Sequence, residues 1–534
     1  MRKPGAAVGG LVGALVTAPL IAVFYLAWKL AELPFVPFNL FDWIARVLPG
    51  RVLTFGIDSM VKAIRALRVA DTSSAAKAAE QTMAVAVFLV AGMVAGALLF
   101  AVLRVTQARR TVFPGVVLGL AAGIAAVLAT RSLGRAESLP PGVGALWTVA
   151  AFAVWGAALG RANRRLTLET PAAAGSADVV RVNRRRFLVS LGGAAATITV
   201  AGAVVGAIAG SKRRREIATG KRWSSGHALP NSGADVRPAP GTRPEYTPLE
   251  DHYRIDITTI PPVVDGPNWR LKIGGLVERP LEWNLDQIRK YEPLHQFVTL
   301  ACISNPVGGS LIGTTRWTGA SLQRILPDLR LKPNATHLKL SSVDGFYEVV
   351  ALETIRNEPR AMLAYDWDGV PLTTKHGFPL RTYIPDLYGM KQPKWLQSIE
   401  AMDHWEPGYW VKRGWDQTAR MKATSVIDTV SVDMMLSQAN RTTRIPVGGI
   451  AHAGARGISK VEVRVDDGAW RQARLRAPLS GLTWVIWRYD WPFQPGEHTL
   501  TVRCTDGKGA LQIAEMAAPH PSGASGLHSK SVML

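Results

Sequence analysis

Cys302 closes the apolar run Phe297-Val298-Thr299-Leu300-Ala301 and is followed by Ile303-Ser304-Asn305-Pro306-Val307-Gly308-Gly309. The 534-residue chain has one other cysteine, Cys504. A strand-like run that breaks into a Pro/Gly loop presents its last side chain at a strand end, where ligands and cofactors meet protein. A lone thiolate there can ligate a soft metal whose remaining ligands come from elsewhere. Two plainer readings stand beside this one: a buried free thiol, or a disulfide with Cys504. About 75 residues further on, Lys375-His376-Gly377-Phe378-Pro379-Leu380-Arg381 sets an imidazole and a guanidinium beside a Gly-Phe-Pro turn. These groups can hold an anionic phosphate, Arg381 through charge-assisted bonds and His376 as a donor.

Together with Gly389-Met390-Lys391-Gln392-Pro393-Lys394-Trp395-Leu396, these segments resemble the molybdopterin-binding core of the sulfite oxidase family. The resemblance covers about residues 250 to 520. It implies a molybdenum-molybdopterin cofactor in which Cys302 is the metal's single protein ligand, the other sulfurs belonging to the pterin dithiolene. It also implies that His376, Arg381 and the loop Gln392, Pro393 and Lys394 contact the pyranopterin and its phosphate. Tyr253 and Arg254, in His252-Tyr253-Arg254-Ile255-Asp256, match the family's earlier cofactor-contacting strand. Asp344 is carried over in the same way, although Asp344-Gly345 also reads as an ordinary turn.

The chain departs from the family in two places. Sulfite oxidases place arginines directly after the cysteine motif to bind sulfite, whereas Asn305 here is followed by Pro306-Val307-Gly308-Gly309. The family's active-site tyrosine falls on Trp415, counted from Lys394-Trp395 through Trp410. Sulfite is therefore not the expected substrate. The expected reaction is oxygen-atom transfer to or from a small sulfur- or nitrogen-containing molecule, with electrons exchanged through an unidentified partner. Arg316 and Arg413 could supply positive charge near the metal, and Arg316 reads equally well as a surface cation on Trp317.

The elements that would position these residues follow from hydropathy and charge. Residues 1–226 hold 27 Lys and Arg against 9 Asp and Glu, and 227–534 hold 35 against 31. The basic half also carries apolar runs at roughly 7–31, 82–103, 113–130, 143–160 and 187–210, each long enough to cross a bilayer as a helix. The arginines around 104–110 and 161–186 fall on one side of alternating spans, which puts the N-terminus in the cytoplasm and the C-terminal 300 residues outside. Basic residues between 46 and 77, Arg131, Arg135 and Lys212 to Arg215 break that pattern. Most of the excess charge flanks spans and no nucleic-acid motif is present, so membrane lipid rather than nucleic acid is the expected partner. Asn183-Arg184-Arg185-Arg186-Phe187-Leu188 resembles an internal twin-arginine signal, which suits a domain exported already folded around its cofactor, and it reads also as a positive-inside cluster.

The fold expected is multi-domain. An α-helical membrane domain occupies 1–210 and a Pro-rich linker 211–250, read as a tether or a wrap. An α+β molybdopterin domain follows over 251–422, without the regularity or Gly-rich turn of a dinucleotide fold. Alternating apolar residues and evenly spaced turns over 423–534 predict a β-sandwich. By resemblance it is the immunoglobulin-like domain that carries the family's dimer contact. No histidine precedes His227 and there are only two cysteines, so neither bis-histidine haem in the membrane part nor a four-cysteine iron–sulfur cluster is expected. The alternative is a cofactor-free extracytoplasmic binding or sensory membrane protein.

Overall fold

A computed structural model describes residues 4–50, 56, 72–134, 140, 142–168, 177–213, 221–432, 436–437 and 443–534. Its contacts divide the chain into two units. One comprises Met1–Leu48, Ala76–Ala218 and Ile257–Pro261, the other Pro49–Ala75, Thr219–Asp256 and Pro262–Leu534.

The first unit is helical: α1 (Ala6–Ala31), α2 (Val36–Val47), α3 (Thr72–Val105), α4 (Val112–Ser132), α5 (Val143–Leu168) and α6 (Ala177–Arg213). Five stretches are long and apolar enough to cross a membrane: Ala6–Ala31, Lys77–Val105, Val112–Ser132, Val143–Thr167 and Arg186–Val205. Two helix pairs are joined by facing glycines. A Cβ added at Gly115 or Gly156 would strike the backbone of the other helix in the α4–α5 pair, and the same holds for Gly9 and Gly96 between α1 and α3. Lipid tails offer no hydrophobic incentive to associate, so close backbone approach through small residues is what holds such helices together. The side chains of Arg184 and Arg185 lie outside the described residues, as does most of the basic stretch between 46 and 77.

The second unit is built from sheets. The first contains β1 (Leu271–Gly275), β2 (Leu281–Trp283), β5 (His337–Ser342), β6 (Tyr347–Ala351) and β10 (Leu396–Met402), in the order β2-β1-β10-β5-β6. The next contains β3 (Pro293–Ala301), β4 (Ile312–Ser321), β7 (Met362–Trp367) and β8 (Val370–Pro371), with β9 (Arg381–Tyr383) also paired to β7. Short helices connect these strands, among them α7 (Leu285–Arg289) and α8 (Leu322–Ile325), each about one turn long. The catalytic region is thus β-rich rather than an even mixture.

Residues 424–534 form two further sheets. One orders β11 (Thr424–Val430), β13 (Thr443–His452), β17 (Val485–Pro492) and β16 (Arg474–Leu475), with β12 (Leu436–Ser437) on β13. The other orders β15 (Arg471–Gln472), β14 (Ile458–Val465), β18 (Glu497–Asp506) and β19 (His528–Met533). Inward residues of both share one core, with Val447 and Trp487 from the first and Val461, Val463 and Val502 from the second. This is a two-sheet sandwich.

Residues 221–250 wrap rather than dangle. Prolines at 230, 238, 240 and 244 deny them a sheet ladder, and side chains of the domain meet their backbone groups instead. Arg476 donates to Glu245 at 2.9 Å, to the Val236 carbonyl at 2.9 Å and to the Asn231 carbonyl at 2.8 Å. Asp368 accepts from Ser224 and from the Tyr246 hydroxyl, both at 2.7 to 2.9 Å. Arg476 and Glu245 are both buried. Replacing Arg476 by Met strands the Glu245 charge and is expected to destabilise the second unit by about 3–5 kcal/mol. Tryptophan fluorescence during denaturant unfolding checks this, and an unchanged midpoint refutes it.

Candidate functional site

The β3–β4 ladder runs from Pro293 opposite Ala320 to Ala301 opposite Ile312. Cys302 N–H donates to the Leu311 carbonyl at 3.0 Å and the chain then turns away. The turn is held by Asn305 N–H on the Cys302 carbonyl (3.0 Å), Gly309 N–H on Pro306 (2.9 Å) and Leu311 N–H on Asn305 Oδ1 (2.9 Å). Gly308 adopts φ 79°, the left-handed region that favours glycine. Cys302 is buried and free, and so is Cys504, so the disulfide reading is set aside. Burial raises the Cys302 thiol above its ordinary value, while the Ser304 hydroxyl at 3.0 Å favours the thiolate. A metal cation supplies the charge needed to deprotonate such a thiol outright.

A basic cradle is assembled from three other segments. The 374–377 turn and the 392–396 strand entry are zipped together by Trp395 N–H on the Gly377 carbonyl (3.3 Å) and Trp395 Nε1 on the Thr374 carbonyl (2.7 Å). Gly377 has φ 113°, and a Cβ there would stand 3.1 to 3.2 Å from the Cβ atoms of Arg381 and Lys394. The third segment brings Arg254 and Asp256. Asp256 takes Arg254 Nε at 2.6 Å and Lys394 Nζ at 3.2 Å.

Arg381 is 4% exposed and donates from Nη1 to the His376 carbonyl at 3.0 Å. Its Nε has no hydrogen-bond partner, and no carboxylate lies within ion-pair distance among the described residues. The guanidinium lies 4.6 Å above the Trp317 ring. Burial pulls it down to about 10 and Lys394 down to about 8, so both are cationic at neutral pH. Burial also lowers His252 to about 4 and His376 well below the ordinary histidine value. The imidazoles are therefore uncharged, and His376 is engaged at both nitrogens, by the Thr373 hydroxyl at 2.9 Å and the His252 carbonyl at 3.2 Å. Tyr253 is buried and keeps its proton, its phenol being raised well above the usual range by desolvation.

Arg254 and Lys394 thus share one carboxylate, Arg381 has none, and its Nε finds no acceptor among the described residues. Buried charge of one sign persists when a counterion completes it. An anionic phosphate is such a counterion, and a soft thiol nearby suits molybdenum. The residues present fit a molybdopterin.

Comparison with known proteins agrees. A family model described as an oxidoreductase molybdopterin binding domain matches residues 258–410. This segment belongs to the sulfite oxidase family of molybdopterin oxidoreductases. The chain is 26% identical over 287 residues to mitochondrial sulfite oxidase of Rattus norvegicus, covering 46% of this chain and 52% of that protein. It is 29% identical over 156 residues to an uncharacterized oxidoreductase of Bacillus subtilis (strain 168), covering 29% of this chain and 76% of that protein. A candidate protein-methionine-sulfoxide reductase subunit of Azospira oryzae is 27% identical over 153 residues, or 29% of this chain and 56% of that protein. Among solved structures, the sulfane dehydrogenase SoxCD of Paracoccus pantotrophus covers 52% of this chain and 78% of its own at 20% identity, with a TM-score of 0.46. The chain spans about half the length of the sulfite oxidases it matches.

Within this molybdopterin domain the remaining expected residues are placed unevenly. Asp344 is buried in the turn before β6, accepts from Phe346 N–H at 3.0 Å and lies beside Val343, whose N–H donates to the Trp395 carbonyl. Gln392 braces the preceding loop through the Ile384 and Leu387 carbonyls, and Pro393 accepts from Thr382 N–H. Trp415 packs in the apolar cluster that contains Ala301 and Ile303, on either side of Cys302. Arg316 is not brought to the thiol. It pairs with Phe297, five ladder positions from the Cys302–Leu311 step or about 17 Å at strand rise, and its guanidinium lies 5.2 Å from the Trp223 ring of the wrap. Arg413 lies over Tyr409. Sequence reasoning missed His252, whose Nε2 is buried without a partner, and Asp256, the shared carboxylate. Both stood in the run that supplied Tyr253 and Arg254, and their signal was a carboxylate two residues from an arginine.

Lys394 gives the cradle a pH dependence. Below about 8 its ammonium holds an anion, and as pH rises through that value the charge and its share of the binding are lost. Molybdenum is expected to dissociate about tenfold faster at pH 9 than at pH 7, one charge-assisted bond's worth. Metal content after dialysis reads it, and Lys394→Met should release metal at one fast rate at both pH values. A wild type equally retentive at pH 9 refutes the assignment.

Proposed function

We propose that the chain is a membrane-anchored, molybdenum-cofactor-dependent oxidoreductase that transfers an oxygen atom to or from a small sulfur- or nitrogen-containing substrate. The observation that carries this reading is the buried thiol of Cys302 in the same domain as a cradle holding more cations than carboxylates. The names of its relatives, sulfite oxidase and candidate methionine-sulfoxide reductase subunit, support the reaction class. When bound, the cofactor supplies two-electron exchange coupled to oxygen-atom transfer. For reduction of an S-oxide the balance is one sulfoxide, two electrons from a one- or two-electron carrier and two protons, giving the sulfide and one water.

The chain's own residues bind and orient. Cys302 offers the thiolate, with Ser304 beside it to share the negative charge. Arg381, Lys394 and Arg254 hold the anionic end of the pterin, Asp256 keeps two of them in place, and Gln392, Pro393 and Asp344 fix the loop from which Lys394 projects. Tyr253 is a neutral donor, and Trp415 closes the apolar side of the Cys302 turn.

The positive-inside pattern supports a cytoplasmic N-terminus and an external catalytic domain. In this reading Arg184-Arg185 marks export through the twin-arginine route, and the sandwich is an immunoglobulin-like module suited to pairing two copies. In this reading bis-histidine haem and four-cysteine iron–sulfur clusters belong to a separate electron carrier, since residues 1–226 have no histidine and the sequence has two cysteines.

Cys302→Ser is expected to lower molybdenum content and abolish turnover with an artificial electron carrier. Arg381→Lys should retain part of the metal and Arg381→Gln little, because lysine keeps charge without the planar fork. Full activity in Cys302→Ser, or a matured wild type without molybdenum, refutes the function.

A further inference from the structure

Lys391 and Glu348 form the most deeply buried ion pair among the described residues. Lys391 Nζ donates to Glu348 Oε1 at 2.7 Å, with the lysine side chain 4% exposed and the carboxylate fully enclosed. Glu348 lies on β6, at the edge of its sheet, and Lys391 closes the single helical turn Gly389–Lys391, directly before the Gln392-Pro393-Lys394 loop. Glu348 Oε1 also accepts from Val349 N–H at 3.1 Å, while Oε2 has no partner among the described residues. A Cβ added at Gly408 would strike this carboxylate, so the backbone before Tyr409 closes directly over it. Burial raises the Glu348 carboxyl above its ordinary value, and the Lys391 ammonium opposes that rise. Desolvating such a pair costs about what its attraction returns, and here one oxygen stays bare. What the pair contributes is location: the buried ammonium has one carboxylate to meet, and the turn that carries it is fixed accordingly.

That turn touches the surroundings of Cys302 twice. Tyr388 and Met390 pack in the apolar cluster that holds Ala301 and Ile303, the neighbours of Cys302 in the chain. A Cβ at Gly389 would stand 3.1 Å from the Tyr253 hydroxyl oxygen and 3.4 Å from the Ala301 carbonyl oxygen, and Tyr253 shares an apolar cluster with Cys302 itself. Both phenols are raised first by burial and further by the charge of Cys302. The turn moves as a unit, because Lys391 N–H donates to the Tyr388 carbonyl at 2.9 Å and Gln392 N–H to the Gly389 carbonyl at 3.1 Å. A displacement at Lys391 therefore reaches Tyr388 and the glycine that abuts Tyr253.

We propose that Lys391 and Glu348 are positioning residues: by pinning the 388–392 turn they hold the phenols of Tyr388 and Tyr253 beside the Cys302 sulfur, and so set how much charge that sulfur gives to a bound metal. The proposal rests on the molybdenum reading above and adds to it the residues that tune the metal. Neutral O–H dipoles held beside a ligating sulfur draw charge from it, and such surroundings govern the reduction potential of the metal it binds. When the turn is released the sulfur donates more strongly, and the potential falls.

The test replaces the pair by apolar side chains in Lys391→Met/Glu348→Leu, with Lys391→Met and Lys391→Arg as single variants, all as full-length holoprotein. Denaturant unfolding followed by tryptophan fluorescence reads stability, and a redox titration monitored by electron paramagnetic resonance reads the molybdenum potential. The double variant should unfold at the wild-type midpoint and keep its molybdenum, yet show a lower potential and turnover slowed about tenfold, the weight of one hydrogen bond to a charged group. Lys391→Met alone should lower the midpoint by stranding the Glu348 charge, and Lys391→Arg should restore both midpoint and potential. An unmoved potential in the double variant overturns the proposal, and so does a lowered midpoint there, which assigns the pair to stability. A matured wild type without molybdenum removes the molybdenum reading instead, whereas full metal with an unmoved potential removes only the positioning role.

Discussion

The arrangement on which the catalytic unit depends is an unbalanced buried charge. Arg254, Lys394 and Arg381 are buried or nearly so, Asp256 answers two of them, and the Nε of Arg381 has no partner among the described residues. Desolvating a cation without a counterion is among the more expensive acts in folding, and removing one partner of a buried pair costs several kcal/mol. The chain accepts that cost where the missing partner is the ligand. The aromatic face of Trp317 under Arg381 reduces the penalty but does not remove it, since a ring quadrupole is a weaker partner than a carboxylate.

An imbalance of this kind is useful only if the cations cannot swing away. The two loops that carry Arg381 and Lys394 are joined backbone to backbone at Gly377 and Trp395, and neither could approach so closely if residue 377 had a side chain. Asp344 reaches the same strand entry through Val343, and Gln392 spends its amide on the loop behind it. The wrap at 221–250 adds a girdle, with Arg476–Glu245 and Asp368 as its buried fasteners. The helical unit packs two of its helix pairs in another way, through facing glycines that let the backbones approach closely.

Much of this was legible in the sequence. The five spans follow from the length of apolar runs, and sandwich strands such as 458–465 from alternation, signals that depend on local composition alone. Cys302, His376, Arg381 and Lys394 stood out because chemistry-bearing residues were set beside Gly and Pro punctuation. What stayed hidden was pairing across distance. Arg316 reads as a pocket cation from its flanking residues, yet a ladder register places it about 17 Å from the thiol, over a tryptophan some ninety residues earlier. Asp256 reads as an ordinary strand residue until Lys394, well over a hundred positions away, arrives at its carboxylate.

An anionic cofactor and the carboxylates of the same domain compete for the same cations unless the chain keeps them apart. Here the strong positive charge is gathered in the cradle, where three cations face one carboxylate. On the sandwich side Arg243 is cancelled by Asp428 and His452 is held neutral by burial. Electrostatic attraction falls with distance and with competing pairs, so a cofactor phosphate would be drawn to the cradle and gain little from the sandwich. The Pro306-Val307-Gly308-Gly309 sequence contributes to this separation directly: arginines in those positions would have put a second strong anion site against the turn that carries Cys302.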